Sequence, residues 1–191
     1  MRFISLDLAW SARNLTGAAV VEGDDSRGRL VGTGLLRRDE DVVEFVLAHV
    51  GKEPAIIAID APLVVPNEAG RRPAEAEIGS VFARYRASAH SANRKRLGQN
   101  GTVRGEELVD RLEDKGFVHR AEVEAPTPVR QAIEVYPHPA IISIFDLDQI
   151  IKHKARKKRP HDFRLTELRR YQTCLRFLER KEPALLDARE L

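Results

Sequence analysis

The sequence predicts an α/β fold built on a mixed five-stranded sheet, an antiparallel meander joined to parallel strands, with helices on both faces. Three observations predict it. Three short β-rich runs follow one another near the start with tight connections. The pattern then alternates between helical periodicity and short apolar strands. The turn after the first run, D-L-A-W-S, contains no glycine, which disfavours a Rossmann domain and its Gly-rich phosphate turn.

The first run, Phe3 to Leu8, is apolar except for Asp7. Leu15 to Val21 is the second strand. The turn E-G-D-D-S-R-G-R follows, with the Gly and Asp residues that a hairpin connection uses. Leu30 to Leu36 is the third strand. Asp39 or Asp41 then caps a helix in which Val42, Val43, Val46, Leu47 and Val50 share one face, and Gly51 closes it. The run A-I-I-A-I from Ala55 to Ile59 is a fourth strand ending on Asp60. Its unbroken apolar character predicts burial on both faces, and Pro62 stops it.

Residues 64–130 read as a helical and loop insertion. A helix from Pro73 to Ala87 turns Ile78, Val81, Phe82 and Tyr85 to one side. Ser88 to Thr102, polar and basic, reads as a mobile loop. A helix from Gly105 to Lys115 faces Leu108, Val109 and Leu112 inward and stops at Gly116. Gln131 to Tyr136 is the fifth strand, and helical stretches follow at Pro139 to Ile151 and Arg164 to Arg180. Meander, helix, strand, helices, strand, helices is the RNase H-like order. One domain of that kind over residues 1–191 accounts for the whole length.

In that order the first and fourth strands are neighbours and the fifth lies beside the fourth. Asp7, Asp60 and Glu134 then converge as like-facing carboxylates at one sheet edge. Three such groups, partly buried, repel one another unless protonated or neutralised. A divalent cation neutralises them, and hard oxygen ligands suit Mg²⁺ or Mn²⁺. Such ions activate water and stabilise the leaving oxygen in phosphodiester cleavage. Each acid also has a plainer reading. An Asp at a strand end caps turns, and Glu134, between Ile133 and Val135, could face solvent.

Composition narrows the classes. Hydrophobic residues are 42% and charged residues 32%, ordinary for a globular chain. The net charge of +3 means that nucleic-acid affinity must come from local clustering. The single Cys174 excludes an internal disulfide, and no Cys/His spacing suggests zinc. The start, M-R-F-I-S-L-D, lacks the apolar run of a signal peptide, and no stretch approaches the roughly 20 apolar residues of a membrane span. A cytoplasmic protein with no membrane partner is expected.

The segments L-D-L-A-W, I-A-I-D-A-P-L, P-N-E-A-G-R-R-P-A-E and E-V-Y-P-H-P resemble domain-of-unknown-function family 429. The late stretch I-K-H-K-A-R-K-K-R followed by L-T-E-L-R-R-Y-Q resembles its pattern too, so the likeness covers most of the chain. That family is described as predicted nucleases with an RNase H-like fold. The resemblance implies that Asp7, Asp60 and Glu134 are active-site positions, with Arg72 and Glu75 as further site residues. It also implies a C-terminal helix bearing another Asp. The final L-D-A-R-E-L does not supply it, since Asp187-Ala188 is a poor match.

Two basic clusters stand out. Arg84, Arg86, Arg94, Lys95, Arg96 and Arg104 surround the polar loop. Lys152, Lys154, Arg156, Lys157, Lys158 and Arg159 form a dense run around His153. Either could neutralise phosphates, or be a solvated segment. Aromatic residues are scarce, at 6%, and none is interleaved with the dense Lys152 to Arg159 run, which argues against a single-strand stacking platform. Arg72 and Glu75, one helical turn apart, are either an ordinary surface pair or a phosphate clamp that orients a ligand. His138 reads as structural rather than a proton shuttle, Trp10 as packed on the sheet rim, and Cys174 as core beside Leu175 and Leu178. The expectation is a Mg²⁺- or Mn²⁺-dependent nuclease with DNA or RNA as partner, ligands Asp7, Asp60 and Glu134, and the Lys152 to Arg159 run tracking the backbone. A phosphotransferase or ATPase related to the actin-like proteins, and a non-catalytic nucleic-acid-binding module, are the alternatives.

Overall fold

The computed structural model describes residues 1–11, 14–98, 101–123 and 127–186. The strands are β1 Arg2–Asp7, β2 Thr16–Gly23, β3 Arg27–Leu36, β4 Ala55–Ile59, β5 Val118–His119, β6 Arg130–Glu134 and β7 Ala184–Leu186. They form one sheet in the order β5-β6-β4-β1-β2-β3-β7. β1, β2 and β3 run antiparallel to their neighbours in the meander, while β1–β4, β4–β6, β5–β6 and β3–β7 are parallel. The fold is therefore mixed α/β with seven strands rather than five. The two extra strands are two and three residues long, too short for a period-2 pattern to register.

The helices are α1 Asp39–Val50, α2 Pro73–Phe82, α3 Arg94–Leu97, α4 Arg104–Glu113, α5 Pro137–Phe145 and α6 His161–Phe177. Among the described residues no helix is long and apolar enough to cross a membrane. Ile4 and Leu6 of β1, Ile57 and Ile59 of β4, and Ala132 of β6 point to one face. There they pack with Val42, Val43, Val46 and Val50 of α1 and Leu108, Val109 and Leu112 of α4. Each such aliphatic side chain removed from water contributes about 1.5–3 kcal/mol. Asp41 accepts from the Arg38 backbone N–H at 3.0 Å and starts α1, and Gly51 at φ 57° ends it.

The opposite face is more open. Phe3 is 38% and Leu35 74% exposed, and Ile56 and Ala58 are only half-buried. The expected burial of β4 on both faces is thus met on one. α2, α5 and α6 instead gather around a second apolar cluster of Ala87, Ile142, Leu147 and Ile151, with Tyr171 and Cys174 half-buried against it. None of α6 is fully buried, and Phe163, Leu165, Leu168 and Phe177 are exposed, so Cys174, expected in the core, packs against this second cluster while only half-buried.

Most boundaries shift by a few residues from the sequence reading, and three differences change the picture. α2 gives way after Phe82 to a single 3-10 turn that Arg86 closes at φ 60°, and Val81 is 57% exposed while Phe82 and Tyr85, expected on the same side, are half-buried. α5 starts at Pro137 and stops at Asp146, φ 48°. Most of all, the stretch from Ser88 onward is a pinned segment. Asn93, 4% exposed, caps α3 by accepting from the Arg96 N–H at 3.0 Å and donates to the Gly70 carbonyl at 2.8 Å. Asn67 Nδ2 donates to the Ala92 carbonyl at 3.1 Å. A polar composition reads as a loop, but here the polar groups satisfy backbone at the core boundary. Asp187 and Ala188 lie outside the described residues.

Candidate functional site

β1 and β4 lie side by side in register, Leu6 beside Ile59. The next residues are Asp7 and Asp60, and the Asp60 N–H donates to the Leu6 carbonyl at 2.8 Å. Because side chains alternate along a strand, both acids point away from buried Leu6 and Ile59, to the same side of the sheet. Gly17 pairs with Asp7 on β2, and its missing side chain leaves room beside that carboxylate.

Glu134 does not join them on that side. It pairs with Ile59, and alternation along β6 from buried Ala132 aims it toward the α1–α4 face. It is held there firmly. Its Oε2 accepts from the Leu63 N–H at 2.9 Å, and the Arg72 guanidinium donates to both oxygens, Nη1 at 2.9 Å and Nη2 at 2.5 Å. Arg72 also donates from Nε to Glu75 Oε1 at 2.7 Å and from Nη1 to the Val64 carbonyl at 2.9 Å. Glu75, 3% exposed, accepts further from the Arg72 and Ala92 N–H groups at 3.0 and 2.9 Å. Arg72 and Glu75 are therefore neither a surface pair nor an open phosphate clamp. They form a chain, Glu75–Arg72–Glu134, that runs from buried Glu75 to exposed Glu134 and joins α2 to the end of β6, and the Glu134 hydrogen bonds raise the pKa of Arg72 further. Three like-facing carboxylates were expected; the structure has two, with Glu134 nearby on the other side.

The basic run comes to the pair from far along the chain. Lys154 Nζ stands 3.9 Å from Asp7 Oδ2. Lys154, Arg156, Lys157 and Lys158 are exposed. Lys152 is turned inward, its N–H donating to Glu167 at 2.6 Å and its Nζ to Gln149 at 2.5 Å. Half of the other basic cluster is engaged internally: Arg94 pairs with Glu106, Arg104 with Asp39, and Arg84 lies over the Tyr85 ring.

Burial pushes the Asp60 carboxyl up to about 6, with Asp7 and then Glu134 adding repulsion and Lys154 opposing it. The same burial, reinforced by Lys154, lowers the pKa of His138 and of His153. It raises that of Tyr136, with Asp60 adding to the rise. His138 sets its ring edge-on to Tyr136, and His153 stacks on Tyr171 at 5.7 Å. This aromatic wall went unread in the sequence, although Tyr136 and His138 both stand in E-V-Y-P-H; Tyr171 lies on a helix distant in sequence.

Among the described residues no group of three His, Cys, Asp or Glu side chains is close enough together to hold a metal ion. Two carboxylates do fit one hard cation, since Mg²⁺ is commonly held by one or two carboxylates with water completing its shell. Asp60, driven toward its neutral form by burial and then by Asp7, is the kind of group that a cation would return to the charged state.

No curated protein and no solved structure matches the chain. A family model does, over residues 7–190, spanning the acids, the Arg72 chain and the basic run. The chain belongs to that family, described as "Protein of unknown function (DUF429)".

Proposed function

We propose that the chain is a divalent-metal-dependent nuclease of RNase H-like fold that hydrolyses nucleic-acid phosphodiesters at Asp7 and Asp60. The observation that carries this reading is the Asp7–Asp60 pair, like-facing at the ends of adjacent parallel strands, with Asp60 pushed up to about 6. Perturbed carboxyls of this kind cluster at functional sites. The order β6-β4-β1-β2-β3, parallel on one side of β1 and antiparallel on the other, supports the RNase H-like assignment and a single domain carrying the 64–130 insertion. The exposed run Lys154, Arg156, Lys157 and Lys158 beside the pair supports a polyanionic substrate, DNA or RNA.

Asp7 and Asp60 would hold Mg²⁺ or Mn²⁺. The ion would supply charge neutralisation and an activated water for attack on phosphorus. Glu134, fixed by Arg72 and Leu63, adds negative potential behind the pair. Lys154 meets the phosphate charge on the outer side, and Arg156, Lys157 and Lys158 follow the backbone away from it.

The test is Mn²⁺ calorimetry on the wild-type chain and on Asp7→Asn, followed by cleavage of labelled DNA and RNA with and without the metal. Saturable binding and metal-dependent cleavage, both abolished by the substitution, support the reading. Cleavage that persists in Asp7→Asn or in EDTA rejects it. Metal binding without cleavage of any nucleic acid reduces the chain to a binding module.

A further inference from the structure

Cutting a phosphodiester calls for positive charge at both the attacking and the leaving oxygen, and two-ion sites supply both shares with metal. Here the acids suffice for one ion. Asp7 and Asp60 share a side of the sheet, while Glu134 faces the other way, its oxygens taken by Arg72 and the Leu63 N–H. Among the described residues no third His, Cys, Asp or Glu stands close enough to join the pair in holding a metal. Two carboxylates neutralise one divalent ion. A second ion would add two positive charges with nothing to balance them.

A different cation already stands there. Lys154 Nζ lies 3.9 Å from Asp7 Oδ2, and its charge also reaches Asp60, whose rise in pKa it opposes. Fixed backbone brings it in. The Lys152 N–H donates to Glu167 at 2.6 Å, the His153 ring stacks on Tyr171 at 5.7 Å, and Arg159 Nη1 donates to the Lys154 carbonyl at 3.4 Å. Glu167 and Tyr171 lie one turn apart on one face of α6, so a single helix holds both residues that precede Lys154. Neutralising a phosphate backbone along its length does not require such fixing, whereas meeting one charge at one place does. His138 and His153, which feel the Lys154 charge, are driven by burial toward their neutral forms, so neither imidazole replaces it.

We infer that Lys154 is the second cation of the site: the pair holds a single divalent ion, and the Lys154 ammonium takes the place of the other. The inference rests on the nuclease reading and adds a catalytic residue to it. In the hydrolysis the oxygen of a water bonds to phosphorus. The bond to the leaving oxygen breaks, both its electrons go to that oxygen, and a proton released by the water completes it. Lys154 keeps its own proton and offsets the negative charge that grows on the phosphate and the leaving oxygen.

Metal stoichiometry and catalysis test this separately. Calorimetry with Mn²⁺ on the full chain gives one ion per wild-type chain, and electron paramagnetic resonance shows the spectrum of an isolated ion. Lys154→Glu puts a third carboxylate where the ammonium was, so it takes up two ions, whose spectra broaden through spin coupling. On whichever labelled DNA or RNA the wild type cleaves, Lys154→Ala loses about 100- to 1000-fold in kcat with KM little altered and thermal unfolding unchanged. Lys154→Arg recovers part of the loss. Two ions on the wild type, a single ion on Lys154→Glu, or a Lys154→Ala loss that lies in KM instead of kcat overturns the inference. Faster cleavage by Lys154→Ala does so too, since the ammonium would then merely block the metal. One ion on the wild type and two on Lys154→Glu, with no nucleic acid cut, upholds the cation assignment while removing the nuclease reading. Cleavage that Asp7→Asn abolishes, with two ions on the wild type, does the reverse. Absence of any Mn²⁺ binding removes both.

Discussion

Arg72 and Glu134, 62 residues apart, meet through two parallel N–H···O bonds of 2.9 and 2.5 Å. The same guanidinium holds Glu75, so deleting it strands two carboxylates, one of them buried. Arg72→Ala is expected to cost about 3 kcal/mol, read from urea unfolding near neutral pH. Arg72→Lys recovers only part, because an ammonium cannot fork across a carboxylate. A loss below about 1 kcal/mol for Arg72→Ala would make this chain an incidental contact.

The raised pKa of Asp60 gives stability a pH dependence of fixed sign. A carboxyl near 6 in the folded chain and about 3.9 when unfolded favours the fold while protonated. That contribution is complete below about pH 4 and lost as pH climbs through about 6. Asp60→Asn removes the loss. Relative to wild type, the variant should gain on the order of 2 kcal/mol between those limits, measured by denaturation at both. A constant difference across that range means that Asp60 ionises as freely folded as unfolded.

Mn²⁺ should invert that slope. Cation binding favours ionised Asp60, so with saturating metal wild-type stability rises with pH over the same interval. At a hundred-fold excess over its dissociation constant, the ion adds about 3 kcal/mol. Asp7→Asn should remove both the inversion and the added stability. Thermal melts with Mn²⁺ or EDTA at the two pH values decide the point, and an unchanged slope counts against metal at this pair.

Gly105 lies where α4 approaches the Asp60 turn, and a methyl built there would come within 2.1 Å of the Pro62 carbonyl oxygen. Backbone on both sides leaves nothing flexible to yield. Gly105→Ala should destabilise by about 1–3 kcal/mol and weaken Mn²⁺ binding by displacing Asp60. Unaltered stability would show that the turn can shift freely.

The sequence carried the frame because strand and helix periods act locally. Ile4 and Leu6 alternate as a half-buried strand must, and Val42, Val43 and Val46 fall on the buried side of α1 as expected. β5 and β7 escaped because each exists only through pairing with a partner already in place. The pinned segment around Asn93 escaped for a different reason: its partners, Asn67 and Gly70, lie in another loop. In the site, the adjacency of Asp7 and Asp60 follows from strand ends that are visible one residue at a time, whereas the approach of Lys154 to Asp7 joins segments far apart in the chain and was not readable. The direction of Glu134 was not, because it depends on how β6 slides against β4.

That sliding reduces to parity. Asp7 and Asp60 stand one step past the Leu6–Ile59 pair, whereas Glu134 stands level with Ile59. The residue of matching parity on the third strand line is Val135, whose N–H donates to the Ile59 carbonyl at 2.9 Å. A carboxylate at 135 would continue the row of Asp7 and Asp60; one at 134 must look the other way. Whether two acids or three share a side in this architecture is thus a property of odd and even positions, set by a single peptide's offset between β4 and β6.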